Sequence, residues 1–157
     1  MSEKLSHINE DGNAHMVDVS DRAITQRSAR ASGKVVLSKS VLSLIAEGKT
    51  PKGDVLATAR IAGIMGAKRT PDLIPLCHPI ALHSVTVECE IDGVGVAIVA
   101  KVKTADRTGV EMEALTAVSV AALTIIDMVK AVDPSAAISH VQVDSKDGGR
   151  NGSWKRP

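Results

Sequence analysis

The chain contains no phenylalanine and no tyrosine, and its single tryptophan, Trp154, stands near the C-terminal end. Any core must therefore be built from Val, Ile, Leu, Ala and Met, which fill space well only where backbones come close together. The same feature disfavours single-strand nucleic-acid binding, which relies on stacking bases against aromatic rings. Lys plus Arg number 19 and Asp plus Glu 18, a net charge of +1. A general nucleic-acid binder would be strongly basic. An anion site in this chain has to be a local cluster.

At 157 residues, with 44% hydrophobic and 24% charged residues, the chain has the size and balance of one globular domain. We expect a single domain over 1–157, with a polar N-terminal segment over 1–20 and a flexible tail over 147–157. The two cysteines, Cys77 and Cys89, are too few for a disulfide scaffold or a structural zinc site. The N-terminal string MSEKLSHINEDGNAHM lacks the apolar stretch of a signal peptide. These features fit a cytoplasmic location. Ala114 to Val132 approaches the length of a membrane span but carries Asp127 and Lys130 and is rich in Ala, Ser and Thr, so a buried helix is expected and no membrane contact.

Arg22 to Leu37 reads as a strand with Gly33 as a bulge. Ser38 reads as the N-cap of a short helix through Val41, Leu42, Leu44 and Ile45 that Gly48 terminates. A second helix runs from about Asp54, its cap, to Lys68, with Ala57, Ala59, Ala62, Gly63, Gly66 and Ala67 as small residues that admit a close neighbour. Three prolines in Thr70 to Pro79 predict an irregular loop. Val85, Val87, Cys89 and Ile91 alternate with polar residues, Asp92-Gly93 is a tight-turn signal, and Val94, Val96 and Ile98 resume the alternation toward Val102, which predicts a β-hairpin. A long helix from about Val110 to Ala131 and a strand over Ile138 to Val143 follow. The order is a split βαβ pattern with one extra helix, an α+β fold with a mainly antiparallel sheet and helices packed on one face.

Several residues could carry chemistry. Asp127 and Lys130 are three apart and share a helix face, either as an exposed ion pair or, among Thr124, Ile125, Ile126, Met128 and Val129, as a buried acid–base pair. Glu111 and Glu113 open the same helix; they complement its dipole, or they accept donors from a guanine-like ring edge. Glu113 and Asp127 lie roughly 21 Å apart along the axis at 1.5 Å per residue, so they share a substrate only if it is long or if two subunits supply them. Cys77 and His78 form either a packed thiol beside an imidazole or part of a site. His7, His15, His83 and His140 show no ligand spacing, and no metal site is expected. Lys52-Gly53-Asp54 stands before a helix start, a natural phosphate position, while Arg60, Lys68, Arg69 and Lys146 are scattered cations. No Gly-x-x-x-x-Gly-Lys-Ser/Thr loop occurs.

Three strings carry a resemblance: KGDVLATARIAG (Lys52 to Gly63), AKRTPDLIPLCHPIAL (Ala67 to Leu82) and TGVEMEALTAVSVAALTIIDMVKAV (Thr108 to Val132). With HINEDGNAHMVDVS (His7 to Ser20), they closely resemble the molybdenum cofactor biosynthesis protein C (MoaC) family, whose activity is cyclic pyranopterin monophosphate synthase. The resemblance implies a ferredoxin-like fold, a homohexamer built as a trimer of dimers, and active sites at dimer interfaces. It implies conversion of 3′,8-cyclo-7,8-dihydroguanosine triphosphate to cyclic pyranopterin monophosphate and pyrophosphate. No resident cofactor is implied, although Mg²⁺ could accompany the triphosphate. By the same resemblance Asp127, Lys52 and Lys130 are catalytic, and Leu76, Cys77, His78, Met112 and Glu113 contact substrate. Glu111, Lys68 and Lys146 match further pocket positions. One departure is Lys146-Asp147-Gly148-Gly149-Arg150-Asn151-Gly152, where relatives often have K-S-G-G-K-S-G. The rival readings are a non-catalytic guanine-nucleotide-binding regulatory module, an oligomeric scaffold and a metal-dependent hydrolase.

Overall fold

The computed structural model describes residues 6–157; the first five residues of the polar N-terminal segment lie outside the described residues. The elements run β1 (Thr25–Val36), α1 (Lys39–Ala46), α2 (Val55–Lys68), α3 (Thr70–Leu73), β2 (Ser84–Ile91), β3 (Gly95–Asp106), α4 (Glu111–Val129), β4 (Ala137–Asp147) and β5 (Trp154–Lys155). The strands form one antiparallel sheet in the order β2-β3-β1-β4-β5. Each βαβ unit returns to a strand two places away, with a strand of the other unit between, which is the expected split βαβ arrangement. The α+β, ferredoxin-like fold is thus observed.

The sheet has two unlike faces because side chains alternate. Ala29, Ala31, Gly33 and Val35 of β1 pair laterally with Val102, Ala100, Ile98 and Val96 of β3, and β2 adds Val87 and Cys89 in register. All are buried. The opposite face is polar: Arg30 pairs with Asp144, Ser32 Oγ donates to Asp144 Oδ1 at 2.7 Å, and Lys101 lies 3.5 Å from Glu88.

With no large aromatic to bridge gaps, contact depends on small residues. A methyl group at Gly63 would sit 2.8 Å from the Ala117 carbonyl oxygen and 3.3 Å from the Ala121 methyl, so α2 approaches α4 backbone to backbone. Gly33 plays the same part between sheet and helix: a Cβ there would lie 2.5 Å from Val118 Cγ1 and 2.9 Å from the His140 carbonyl oxygen. Gly33 is therefore not the expected bulge. It is paired on both sides, and the register shifts against β4 fall at Arg30/Ala31 and Lys34/Val35.

Two further expectations are corrected. Thr70 to Pro79 is not wholly irregular, because Pro71 lies in the first turn of α3, where its missing N–H leaves no bond unmade. The tail is also ordered: β5 pairs with β4, the Arg156 N–H donates to the Asp144 carbonyl at 2.7 Å, and the Arg156 guanidinium stacks 5.6 Å from the Trp154 ring centre. Asp54 caps α2 as expected, accepting the Ala57 N–H at 2.9 Å. Ser38 occupies the N-cap of α1 but makes no side-chain cap bond. The apolar helix α4 is long and apolar enough to cross a membrane, yet it packs against α2 and strands β1, β3 and β4 with its central residues buried.

Candidate active site

Most of the polar residues singled out above gather at the two ends of α4. At its C-terminal end, Asp127 Oδ2 accepts from Lys52 Nζ at 2.8 Å and Oδ1 from Lys130 Nζ at 2.7 Å. Lys52 arrives from the turn before α2, in which the Gly53 N–H donates to the Thr50 carbonyl at 3.1 Å and Pro51 fixes the second position. About half of each of these three side chains is exposed. Of the two readings of Asp127 and Lys130, the exposed ion pair is the one observed. Its apolar neighbours Ile125, Met128 and Val129 turn inward, whereas Asp127 lies on the outward stripe of the helix. Hydrogen bonds from Lys130 and then Lys52, with their charges, hold its carboxyl at about 2, below the usual value of 3.8. Asp127 is therefore ionised at neutral pH. Two ammonium groups around one carboxylate leave a local charge of +1 that suits an anion.

At the other end, a cavity of about 660 Å³ is walled by Leu76, Cys77 and His78 from the loop after α3, by Thr108, Gly109, Glu111 and Met112 at the start of α4, and by His7, Val17, Arg22 and Arg150. Glu113 is not part of this wall. It sits one layer behind it, 1% exposed, with Oε1 3.6 Å from Cys77 Sγ and Oε2 without a hydrogen-bond partner. Burial raises the carboxyl of Glu113 above its ordinary value of 4.5. Burial, and secondarily the charge of Glu113, pushes the Cys77 thiol up to about 11, so Cys77 stays protonated and serves as a donor to Glu113 rather than as a nucleophile. His78 Nε2 lies 2.6 Å from the Val17 carbonyl oxygen; with a carbonyl as partner, Nε2 carries the proton. That bond also fastens the N-terminal segment over the loop.

A second recess of about 160 Å³ shares Arg22, Thr108, Gly109, Glu111 and Arg150 with the first and adds Arg27, Ser28 and residues 146–149 and Asn151. Lys146 lines it, with Nζ 3.4 Å from the Gly148 carbonyl. Gly148 and Gly149 have φ of +87° and +80°, and a Cβ at Gly148 would run into the Gln26 backbone carbonyl, so glycines carry the chain past β1 here. Arg22, Arg27, Lys146 and Arg150 thus surround one recess. Sequence reasoning missed the three arginines. Their signal was weak: Arg22 and Arg27 bracket the start of β1, and Arg150 follows the double glycine. Lys68, the last residue of α2, is exposed and lines neither recess. Among the described residues no three His, Cys, Asp or Glu converge into a group that could hold a metal ion.

The two ends do not meet within one chain. Fourteen residues of straight helix separate Glu113 from Asp127, roughly 21 Å. One end presents cations around an ionised carboxylate. The other presents a cavity with hydrogen-bonding walls and a basic recess beside it.

A sequence model of the MoaC family matches residues 16–149. Among curated proteins, the cyclic pyranopterin monophosphate synthase of Streptomyces griseus is 63% identical over 153 residues, covering 98% of this chain and 86% of its own. The enzyme of that name from Streptomyces avermitilis is 61% identical over 154 residues, covering 98% and 91%. Cyclic pyranopterin monophosphate synthase 2 of Mycobacterium tuberculosis H37Rv is 57% identical over 155 residues, covering 99% and 93%. With a match that spans most of the chain and identities of this size over nearly its full length, the chain belongs to the MoaC family.

Proposed function

We propose that this chain is a cyclic pyranopterin monophosphate synthase, a lyase of molybdenum cofactor biosynthesis that converts 3′,8-cyclo-7,8-dihydroguanosine triphosphate to cyclic pyranopterin monophosphate and pyrophosphate. The observation that carries this is the identity of 63% over 98% of the chain to a relative of that name. The chemistry of the two α4 ends supports it. A triphosphate carries three to four negative charges, and departing pyrophosphate needs cations beside it; Arg22, Arg27, Lys146 and Arg150 line such a recess. Ring opening and reclosure without redox change needs only proton donors and acceptors. Lys52 and Lys130 are the donors and ionised Asp127 the acceptor that orients both. Asp127, held at about 2, is a base in the resting site rather than an acid. His78, Met112 and Glu111 line the cavity that takes the pterin, with Glu113 behind Cys77 as its buried acceptor.

Because one chain keeps these groups roughly 21 Å apart, the working site joins the Glu113 end of one copy to the Lys52, Asp127 and Lys130 end of a second. The homohexamer, a trimer of dimers, supplies that pairing, and the enzyme works in the cytoplasm. Turnover of the cyclised substrate, followed by pyrophosphate release and pterin fluorescence, tests the reading. Wild type should yield both products and Lys52→Ala neither. Binding without turnover would instead make the chain a regulatory nucleotide-binding module.

A further inference from the structure

Lys52 and Asp127 reach each other from elements that are distant in sequence, and something must fix their separation. Asp127 and Lys130 sit at the end of α4, whereas Lys52 follows α1 through Gly48 and the Thr50 to Gly53 turn. Asp133 ties the last turn of α4 to the residue that starts α1. It is 4% exposed, and its own N–H donates to the Val129 carbonyl at 2.8 Å, which fixes it to the last turn of α4. Its Oδ2 accepts the Ser38 N–H at 2.7 Å, at the N-cap of α1. Its Oδ1 accepts the Ser135 hydroxyl at 2.6 Å and the Ser135 N–H at 3.1 Å, so the carboxylate cannot swing away. Ser38 offers no side-chain cap of its own; its hydroxyl pairs with Ser40 at 3.1 Å. Helix α1, eight residues and about 12 Å long, carries that tie toward Lys52: its start is bound to α4 through Asp133, Val41 and Leu42 are buried along it, and from Ala46 the chain runs through Gly48 into the Thr50 to Gly53 turn, which holds Lys52 between α1 and α2.

We propose that Asp133 is a positioning residue of the synthase, whose bond to the Ser38 N–H sets the distance between Lys52 and the Asp127–Lys130 pair. This rests on Lys52 being catalytic. Asp133 touches no substrate-facing group; it acts through the backbone of α1. A displacement of about an ångström at a proton donor costs one to two orders of magnitude in rate while leaving substrate held by the other groups.

The test uses the full-length enzyme with Asp133→Ala, Asp133→Asn and Ser38→Pro. Proline suits Ser38, whose φ is −66°, and its ring carbon takes the place of the N–H, so it breaks the 2.7 Å bond and displaces the Asp133 carboxylate. In Asp133→Ala and Ser38→Pro, kcat should fall about tenfold with KM changed less than twofold, and crystal structures should show Lys52 Nζ moved out of contact with Asp127. Asp133→Asn keeps an acceptor for the Ser38 N–H but turns its NH2 toward the Ser135 N–H, so its kcat should fall between those of wild type and Asp133→Ala. An unchanged kcat, an asparagine variant as impaired as alanine, or a lost rate with the 2.8 Å Lys52–Asp127 contact intact would each overturn the proposal. If Asp133→Ala does not fold, Ser38→Pro decides alone. Wild type without turnover would refute the catalytic reading instead, and the Lys52–Asp127 distance would still settle the positioning role.

Discussion

Glu113 is a buried carboxyl that the fold tolerates rather than uses for stability. It is 1% exposed, one oxygen meets only a thiol at 3.6 Å, and the other meets nothing. Leaving a buried polar group unpaired costs about 1–3 kcal/mol. Glu113→Leu keeps the volume and removes that cost. We expect it to raise stability by about 2 kcal/mol, which at roughly 3 °C per kcal/mol for a domain of this size is a rise in Tm of about 6 °C. The assay is thermal denaturation at fixed protein concentration, because the proposed assembly would make Tm concentration-dependent. The pH dependence has a defined sign. The carboxyl of Glu113 is raised in the folded state, so the folded state binds its proton more tightly than the unfolded chain does. The penalty of ionisation is therefore absent below the ordinary value of 4.5 and develops as pH rises from there through the raised value. The advantage of Glu113→Leu should accordingly be larger at pH 7 than near pH 4, where only the cost of the unpaired oxygen remains. Turnover should nevertheless fall at least tenfold, because Cys77, which lines the cavity, loses the acceptor that holds its thiol in place, the usual exchange of activity for stability at a functional site. A leucine variant that is less stable than wild type at pH 7, by a margin that does not shrink in acid, would refute the reasoning and mean that Glu113 is well paired in the assembled enzyme.

Three other outcomes are expected. Asp127→Asn should assemble normally by size-exclusion chromatography yet form no product; because Asp127 is held at about 2, the acid limb of the wild-type rate profile above pH 4 should belong to another group. Mixed and reassembled Lys52→Ala and Glu113→Leu subunits, each nearly inactive alone, should regain about a quarter of wild-type turnover, since half the dimers are mixed and each holds one intact composite site; no recovery would place the site within one chain. Gly33→Ala forces a methyl group to 2.9 Å from the His140 carbonyl oxygen, so urea denaturation should show a loss of about 3 kcal/mol, and a loss under 0.5 kcal/mol would mean that α4 is not seated on the sheet as described.

The elements followed from sequence wherever the pattern was local. The β2–β3 hairpin was legible because its alternation and the Asp92-Gly93 turn are contained within about twenty residues. Helix α2 was legible because Asp54 caps it and its small residues recur on one side. The tail misled because neither Trp154 nor Lys155 signals a strand; β5 exists only because β4 offers an open edge. Gly33 misled for a related reason, since a glycine in a strand marks a bulge or a close approach equally well, and only the presence of Val118 decides.

The amino-acid sequence by itself determined the absence of aromatic packing, the order of strands and helices, and the family, together with the candidate residues Lys52, Cys77, His78, Glu111, Glu113, Asp127, Lys130 and Lys146. Tertiary structure decided which of them are charged, buried or adjacent. The spacing of Asp127 and Lys130 fitted an exposed pair and the apolar neighbours a buried one, and helical geometry decides for the first by turning Asp127 outward into the reach of two lysines. Glu113 reads as a surface residue of a first turn until the Cys77 loop closes over it. Arg22, Arg27 and Arg150 belong to one recess only because antiparallel pairing of β1 with β4 brings the two chain segments side by side. Charge state and proximity depend on solvent exclusion and on contacts between residues far apart in the chain, and no local pattern records either.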